Sequence, residues 1–302
     1  MTGNKPPSPS SLIPLIAMCG LFLVVDLLAL LLAIPFIDAG LFAFTDSGNP
    51  INIIFFIVFF FITTAAILAL AIYRGGKYVK WVLISLIWLS LFSTLYLLTL
   101  FVFADPLATG LSVAGSLALI AALMMRQRWY IINLVAILLG AVTTAILGIS
   151  LSPPLVSILL IGLAIYDAIA VYKTKHMLIL AESILNSRLP LMLVVPKSLG
   201  YKIPEEISIH KQSSGERNAF YIGLGDLVIP SWLTVSIYGS MGASGIPIIV
   251  SVIIGILLGF FILSTYVLSG KPQAGLPFLC GGAILGYVLS SLLLLGHLVG
   301  IG

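Results

Sequence analysis

Three aspartates stand where a charge is expensive. Asp26, Asp167 and Asp226 each fall inside an apolar run, whereas Asp38, Asp46, Asp105, Glu182, Glu205, Glu206 and Glu216 fall between runs. An ionisable group in hydrocarbon costs about 2.5–3.5 kcal/mol even on lenient scales, so each of the three is a functional candidate. Asp167 lies six residues before Lys173, and Asp226 nine residues after Arg217. At 1.5 Å of rise per helical residue, these offsets put the two carboxyls about 9 and 13 Å below one membrane boundary. Consecutive antiparallel helices can bring such groups face to face. Two carboxyls in one dry site cannot both ionise cheaply, so the pair shares a single proton over a wide pH range. One can then take a proton from water as it attacks a peptide carbonyl, while its partner donates to the carbonyl oxygen. That chemistry needs neither a metal nor a Ser or Cys nucleophile. A proton relay in a transporter or leak channel uses buried carboxyls equally well, and depth and spacing alone leave the two readings level. Asp26 sits fourteen residues into the first run, about 21 Å deep. No basic residue in any span is available to pair with it, so it is expected to be uncharged.

The segments that must position these acids follow from composition. Of 302 residues, 61% are hydrophobic and 8% charged, and the mean hydropathy is +1.23. No surface of ordinary size keeps such a chain in water. The apolar runs are continuous over about 20 residues rather than alternating over about 10, which selects helices over a transmembrane barrel. Nine spans are predicted, near 12–37, 51–73, 79–103, 107–125, 129–149, 153–172, 218–239, 245–269 and 274–299. They form an all-α polytopic membrane protein, organised as spans 1–6 in 1–172, a cytoplasmic loop over 173–217, and spans 7–9 in 218–302. With nine alternating spans all 14 Lys and Arg residues fall on one side, half of them in the 173–217 loop. Positive charge stays inside, so the amino terminus is expected in the cytoplasm and the carboxy terminus outside. The net charge of +4 is spread over these gaps and marks topology, not a nucleic-acid surface. The first run is too long for a signal-peptide core and lacks a cleavage site, so it is expected to remain as a span.

Around Asp226 the sequence opens the backbone. Gly223, three residues earlier, would share its helical face and leave bare main chain where another chain could approach. Pro230, four residues later, has no N–H for the Asp226 carbonyl, so a kink is expected there. Glycine for packing and proline as a tolerated kink are common in membrane helices, so neither feature alone decides the chemistry.

Tyr166-Asp167 in span 6 and Gly223-Leu224-Gly225-Asp226 in span 7 resemble the Y-D and G-x-G-D signatures of the presenilin and signal peptide peptidase family, the intramembrane aspartyl proteases. The stretch from Tyr166 through Met177-Leu178, Glu182 and Pro190 looks more like presenilin, and Leu224 to Pro230 more like signal peptide peptidase. The family's Pro-Ala-Leu signature aligns with Ala274-Gly275-Leu276, followed by Pro277; only the Leu is retained. The resemblance implies a catalytic dyad of Asp167 and Asp226, with Tyr166, Gly223, Gly225, Ala274, Gly275, Leu276 and Pro277 as positioning or substrate-path residues. It further implies single-span proteins or remnant signal peptides as substrates, with presenilin-like orientation favouring those whose amino terminus is outside. No cofactor is implied. Pro277, six residues after Lys271, places this broken helix entry in the same layer as Asp167, about 9 Å deep. Tyr166 projects about 100° around the helix from Asp167, so it is not expected to bond that carboxyl directly.

A helical substrate must unwind before its backbone can be cut. Pro190 to Pro196 is a short, Val-rich apolar run bounded by prolines, suited to extend and pair with an unwound substrate by strand addition, or to rest on the membrane surface. His176 to Asn186 is expected to form a short amphipathic helix. Gly255/Gly259, Gly282/Gly286 and Gly296/Gly300 have the spacing of helix-packing contacts. Cys19 and Cys280 lie apart in apolar runs without His at ligand spacing, and His176 and His210 in the loop and His297 near the outer end of span 9 have no ligand partner, so neither a disulfide nor a metal is expected. The outside gaps are short, leaving little room to dock large partners, and no obligatory subunit is expected. The setting is a cell membrane in a prokaryote or an endomembrane in a eukaryote.

Overall fold

A computed structural model describes residues 9–74, 76–125, 128–174, 192–197, 219–268 and 273–300. Among these residues the chain forms nine α-helices: α1 (Pro9–Asp38), α2 (Ile51–Arg74), α3 (Gly76–Leu100), α4 (Leu107–Met125), α5 (Trp129–Ser150), α6 (Pro153–Ile169), α7 (Leu224–Met241), α8 (Ile246–Leu268) and α9 (Leu276–Leu295). Seven stretches are long and apolar enough to cross a membrane; one of them, Leu224–Tyr266, runs through both α7 and α8. In α2 the apolar stretch is the shorter Ile51–Ile67. The segment His176 to Asn186 and residues Pro190 and Leu191 lie outside the described residues.

Two strands correct the all-helical expectation. β1 (Met192–Pro196) and β2 (Ala219–Gly223) form an antiparallel ribbon with Val194 opposite Tyr221. Within the proline-bounded run, Met192–Pro196 is thus extended, as its valines favour. The start of span 7 is not helical as predicted: residues Ala219–Gly223 are strand and the helix begins at Leu224. Apolar content cannot separate the two states over five residues. The helical depth assigned to Asp226 therefore does not apply, because a strand rises about 3.3 Å per residue.

Helix α7 is the axis of the fold. From Pro230 to Ile237 every side chain is buried, enclosed by α1, α5, α6, α8 and α9. Phe22 of α1, Leu160 of α6, Leu233 of α7, Val252 of α8 and Ala283 of α9 share one apolar core. By contrast, α2 turns Phe55, Phe59, Phe60 and Phe61 outward, as a lipid-facing helix should. Pro153 and Pro154 open α6, where a missing N–H costs no helical bond.

The tightest seam joins α8 to α9. A Cβ on Gly255 would fall on the carbonyl of Gly282, one on Gly259 on the carbonyl of Phe278, and one on Gly286 on the carbonyl of Ser251. These four glycines pack backbone on backbone, as their spacing predicts. Gly296 and Gly300 do not. They follow the end of α9 with φ of 75° and 82°, and Gly296 donates its N–H to the Leu292 carbonyl at 3.1 Å as a left-handed helix cap. Gly255→Val should overpack this seam and cost about 1–3 kcal/mol. Gly281→Val, whose added Cβ meets open space, should leave the melting midpoint in detergent unchanged; equal midpoints for both variants would refute the packing role.

Candidate active site

Asp167 and Asp226 reach one another through the entry of α9. Asp167 sits near the end of α6, where regular helix passes into a π turn at Ala170–Thr174, and its side chain is buried. Asp226 lies in the first turn of α7, directly after β2, and is half-buried. The N-terminus of a helix is the positive end of its dipole, which favours a carboxylate there. Helices α6 and α7 pack together, and α9 packs on both.

Between the two acids lies the dipeptide Gly275-Leu276. The Leu276 N–H donates to Asp167 Oδ2 at 3.1 Å, and the Gly275 N–H adds a second backbone interaction with the same carboxyl. A Cβ on Gly275 would stand 3.1–3.3 Å from the carboxyl atoms of Asp226. Gly275 has φ −80° and ψ −47°, an ordinary conformation, so glycine is there for space and not for strain. The two carboxyls are within electrostatic reach of each other. Cys280, one turn further along α9 and fully buried, lies close enough to feel both. Ala274 is buried and Pro277 half-buried, completing the entry of α9.

The other residues singled out from sequence divide. Gly223 ends β2 and precedes α7, so it does not share a helical face with Asp226 as expected; an added Cβ there would still lie 3.5 Å from Asp226 Oδ2. Gly225 is exposed, with only Ile229 near an added Cβ. Tyr166 is 60% exposed. Asp26 is fully buried in α1, where it accepts a hydrogen bond from Thr234 of α7 at 3.3 Å. Its Oδ2 has no hydrogen-bond partner among the described residues.

Three contacts were not foreseen. Tyr172, in the π turn, donates to Gln273 Oε1 at 2.6 Å and ties the end of α6 to the segment entering α9. Cys280 was read only as an apolar-run cysteine. Asn133, buried in α5, donates Nδ2 to the Val194 carbonyl and accepts the Val194 N–H on Oδ1, both at 2.8 Å. Leaving either backbone group buried and unpaired costs about 1–3 kcal/mol. A lone amide four residues into an apolar helix was the available signal.

If space at Gly275 holds the acids together, peptide cleavage in detergent should fall in the order Gly275, Gly275→Ala, Gly275→Val. A methyl asks the Asp226 carboxyl to yield a few tenths of an ångström; a branched side chain asks for more, and a 1 Å misplacement can cost about 100-fold. Full activity in Gly275→Val would remove this role.

The family profile described as signal-peptide peptidase, presenilin aspartyl protease matches residues 19–295. The structure of a presenilin family intramembrane aspartate protease in the P2 space group is similar with a TM-score of 0.70 and 30% identity, covering 93% of this chain and 98% of that one. A second such structure, in the C222 space group, is similar with a TM-score of 0.67 and 28% identity, covering 92% of this chain and 98% of that one. No curated protein matches the chain.

Proposed function

The chain belongs to the signal-peptide peptidase and presenilin aspartyl protease family, and from that premise we propose that Asp167 and Asp226 are the catalytic dyad of this intramembrane aspartyl protease. The observation that carries the assignment is that one dipeptide lies beside both acids: the Leu276 N–H donates to Asp167, and a Cβ added to Gly275 would stand 3.1–3.3 Å from the Asp226 carboxyl. The pair holds one proton and a water molecule. The ionised carboxyl takes a proton from the water as its oxygen bonds to the peptide carbon, and the protonated carboxyl gives its proton to the carbonyl oxygen. Collapse of the tetrahedral intermediate breaks the C–N bond as the leaving nitrogen is protonated, and a new acid and amine terminus result.

Substrates are transmembrane segments of membrane proteins or signal peptides, brought laterally from the bilayer. The chain crosses nine times, with its amino terminus in the cytoplasm and its carboxy terminus outside. Nine helices among the described residues and the one-sided placement of 14 basic residues support this topology. The unwound substrate lies along the β1–β2 ribbon. Strand addition to β1 itself, one of the expectations from sequence, meets β2 on one edge and Asn133 on the other. The β2 side, which runs directly into Asp226, takes that role instead. The protein acts without obligatory subunits, and Asp26 braces α1 against α7 outside the chemistry.

Purified protein incubated in detergent with a transmembrane peptide should generate new termini by mass spectrometry. Asp167→Asn and Asp226→Asn should each lower the rate by about 10²–10⁴-fold or more. Parent-level products from either variant would eliminate the dyad.

A further inference from the structure

Asn133 does for β1 what a third strand would do. Helix α5 spends its own N–H and C=O groups within the helix, so its backbone cannot serve a strand edge laid against it. Yet β1 is packed on α5, with Leu193, Val194 and Val195 buried. The Asn amide carries one acceptor and a donor group in the arrangement of a peptide unit. Asn133 offers both to Val194, each at 2.8 Å. Because alternate residues of a strand point their backbone groups to opposite edges, Leu193 and Val195 face Ile222 and Phe220 of β2, and Met192, Val194 and Pro196 face α5. Pro196 therefore costs the ladder no bond.

The attachment is specific to one residue of the strand. Sliding β1 by one position would bring the groups of Leu193 or Val195 to the wrong edge and break both bonds. Sliding by two would carry the ribbon about 7 Å along α5. Since β2 leads through Gly223 straight into Asp226, with an added Cβ on Gly223 only 3.5 Å from Oδ2, the height of the ribbon sets where an extended chain beside it meets the acids. Asn133 itself, five residues after Arg128, lies about 7.5 Å into α5 and is buried, so without this partner its amide would be a buried, unpaired polar group.

We propose that Asn133 is a positioning residue that sets the register of cleavage: by taking the α5 edge of β1 it fixes the ribbon on α5, and with it the height at which β2 runs into Asp226. The inference rests on the protease reading above. Asn133 touches neither substrate nor reacting atoms, and acts through Val194.

The test uses the full-length protein in detergent, a single transmembrane peptide over a range of concentrations, and product masses. Helical content by circular dichroism checks folding. Asn133→Ala should cut at two or more bonds displaced from the parent's site, with kcat lowered about tenfold or more and KM changed less than about threefold. Val194→Pro deletes the N–H given to Asn133 without touching a ladder bond to β2, and should displace the products in the same sense to a smaller extent. If Asn133→Ala does not fold, Val194→Pro decides alone. The parent's cut sites in both variants, whether at full or uniformly reduced rate, or a loss confined to KM, would overturn the proposal. A parent that yields no product, or an Asp226→Asn variant that yields the parent's products, would instead overturn the protease reading on which it depends.

Discussion

Two acidic side chains, carried by separate helices in a medium that resists charge, have no reason of their own to stay together. The entry of α9 supplies the reason. A backbone N–H from Leu276 holds Asp167, and the missing side chain of Gly275 lets Asp226 approach the same turn. Everything around the site serves to keep this turn at the right height. The glycine seam between α8 and α9 locks α9 by backbone contact, which leaves less play than a contact between flexible side chains. On the opposite side, the enclosed helix α7 fixes Asp226 through a wholly buried run from Pro230 to Ile237. Losing either constraint would let the two acids separate.

Irregular backbone at this depth has to be bounded by protein or by water. The β1–β2 ribbon meets that demand by pairing its strands with each other and by handing the remaining groups of Val194 to Asn133. The same logic explains why a multi-pass protein of this composition tolerates a π turn after Asp167 and a proline-marked entry before α9. Hydrolysis needs extended substrate and water inside a layer that otherwise favours helix and excludes water. Among the described residues, the π turn follows Asp167, the β1–β2 ribbon precedes Asp226, and the entry of α9 lies against both.

Legibility from sequence followed the strength of the local signal. Asp167 and Asp226 were conspicuous because a carboxyl in an apolar run is costly wherever the run folds. For the Val-rich segment ending at Pro196 the sequence left an extended and an interfacial reading open, and Met192–Pro196 is extended. The stretch Ala219–Gly223 did not, because it is apolar and continuous with the helix that follows, and pattern alone cannot divide a short buried strand from a helix start. The same error misplaced Gly223 on a helical face. Glycines at identical spacing took opposite roles: Gly282 and Gly286 in a helix seam, Gly296 and Gly300 in left-handed turns. Spacing carries no statement of where a helix ends.

Composition and charge placement by themselves determined a polytopic membrane chain with acids inside its apolar runs, because hydrophobic transfer and the cost of a buried charge act on each residue regardless of its neighbours. Only the tertiary structure decided that Leu276 bonds Asp167, that Gly275 makes room for Asp226, and that Asn133 pairs with Val194 across 61 residues of chain. Such contacts depend on the relative height and rotation of distant helices. Those quantities are set by the summed packing of α5 to α9, and no local pattern encodes them.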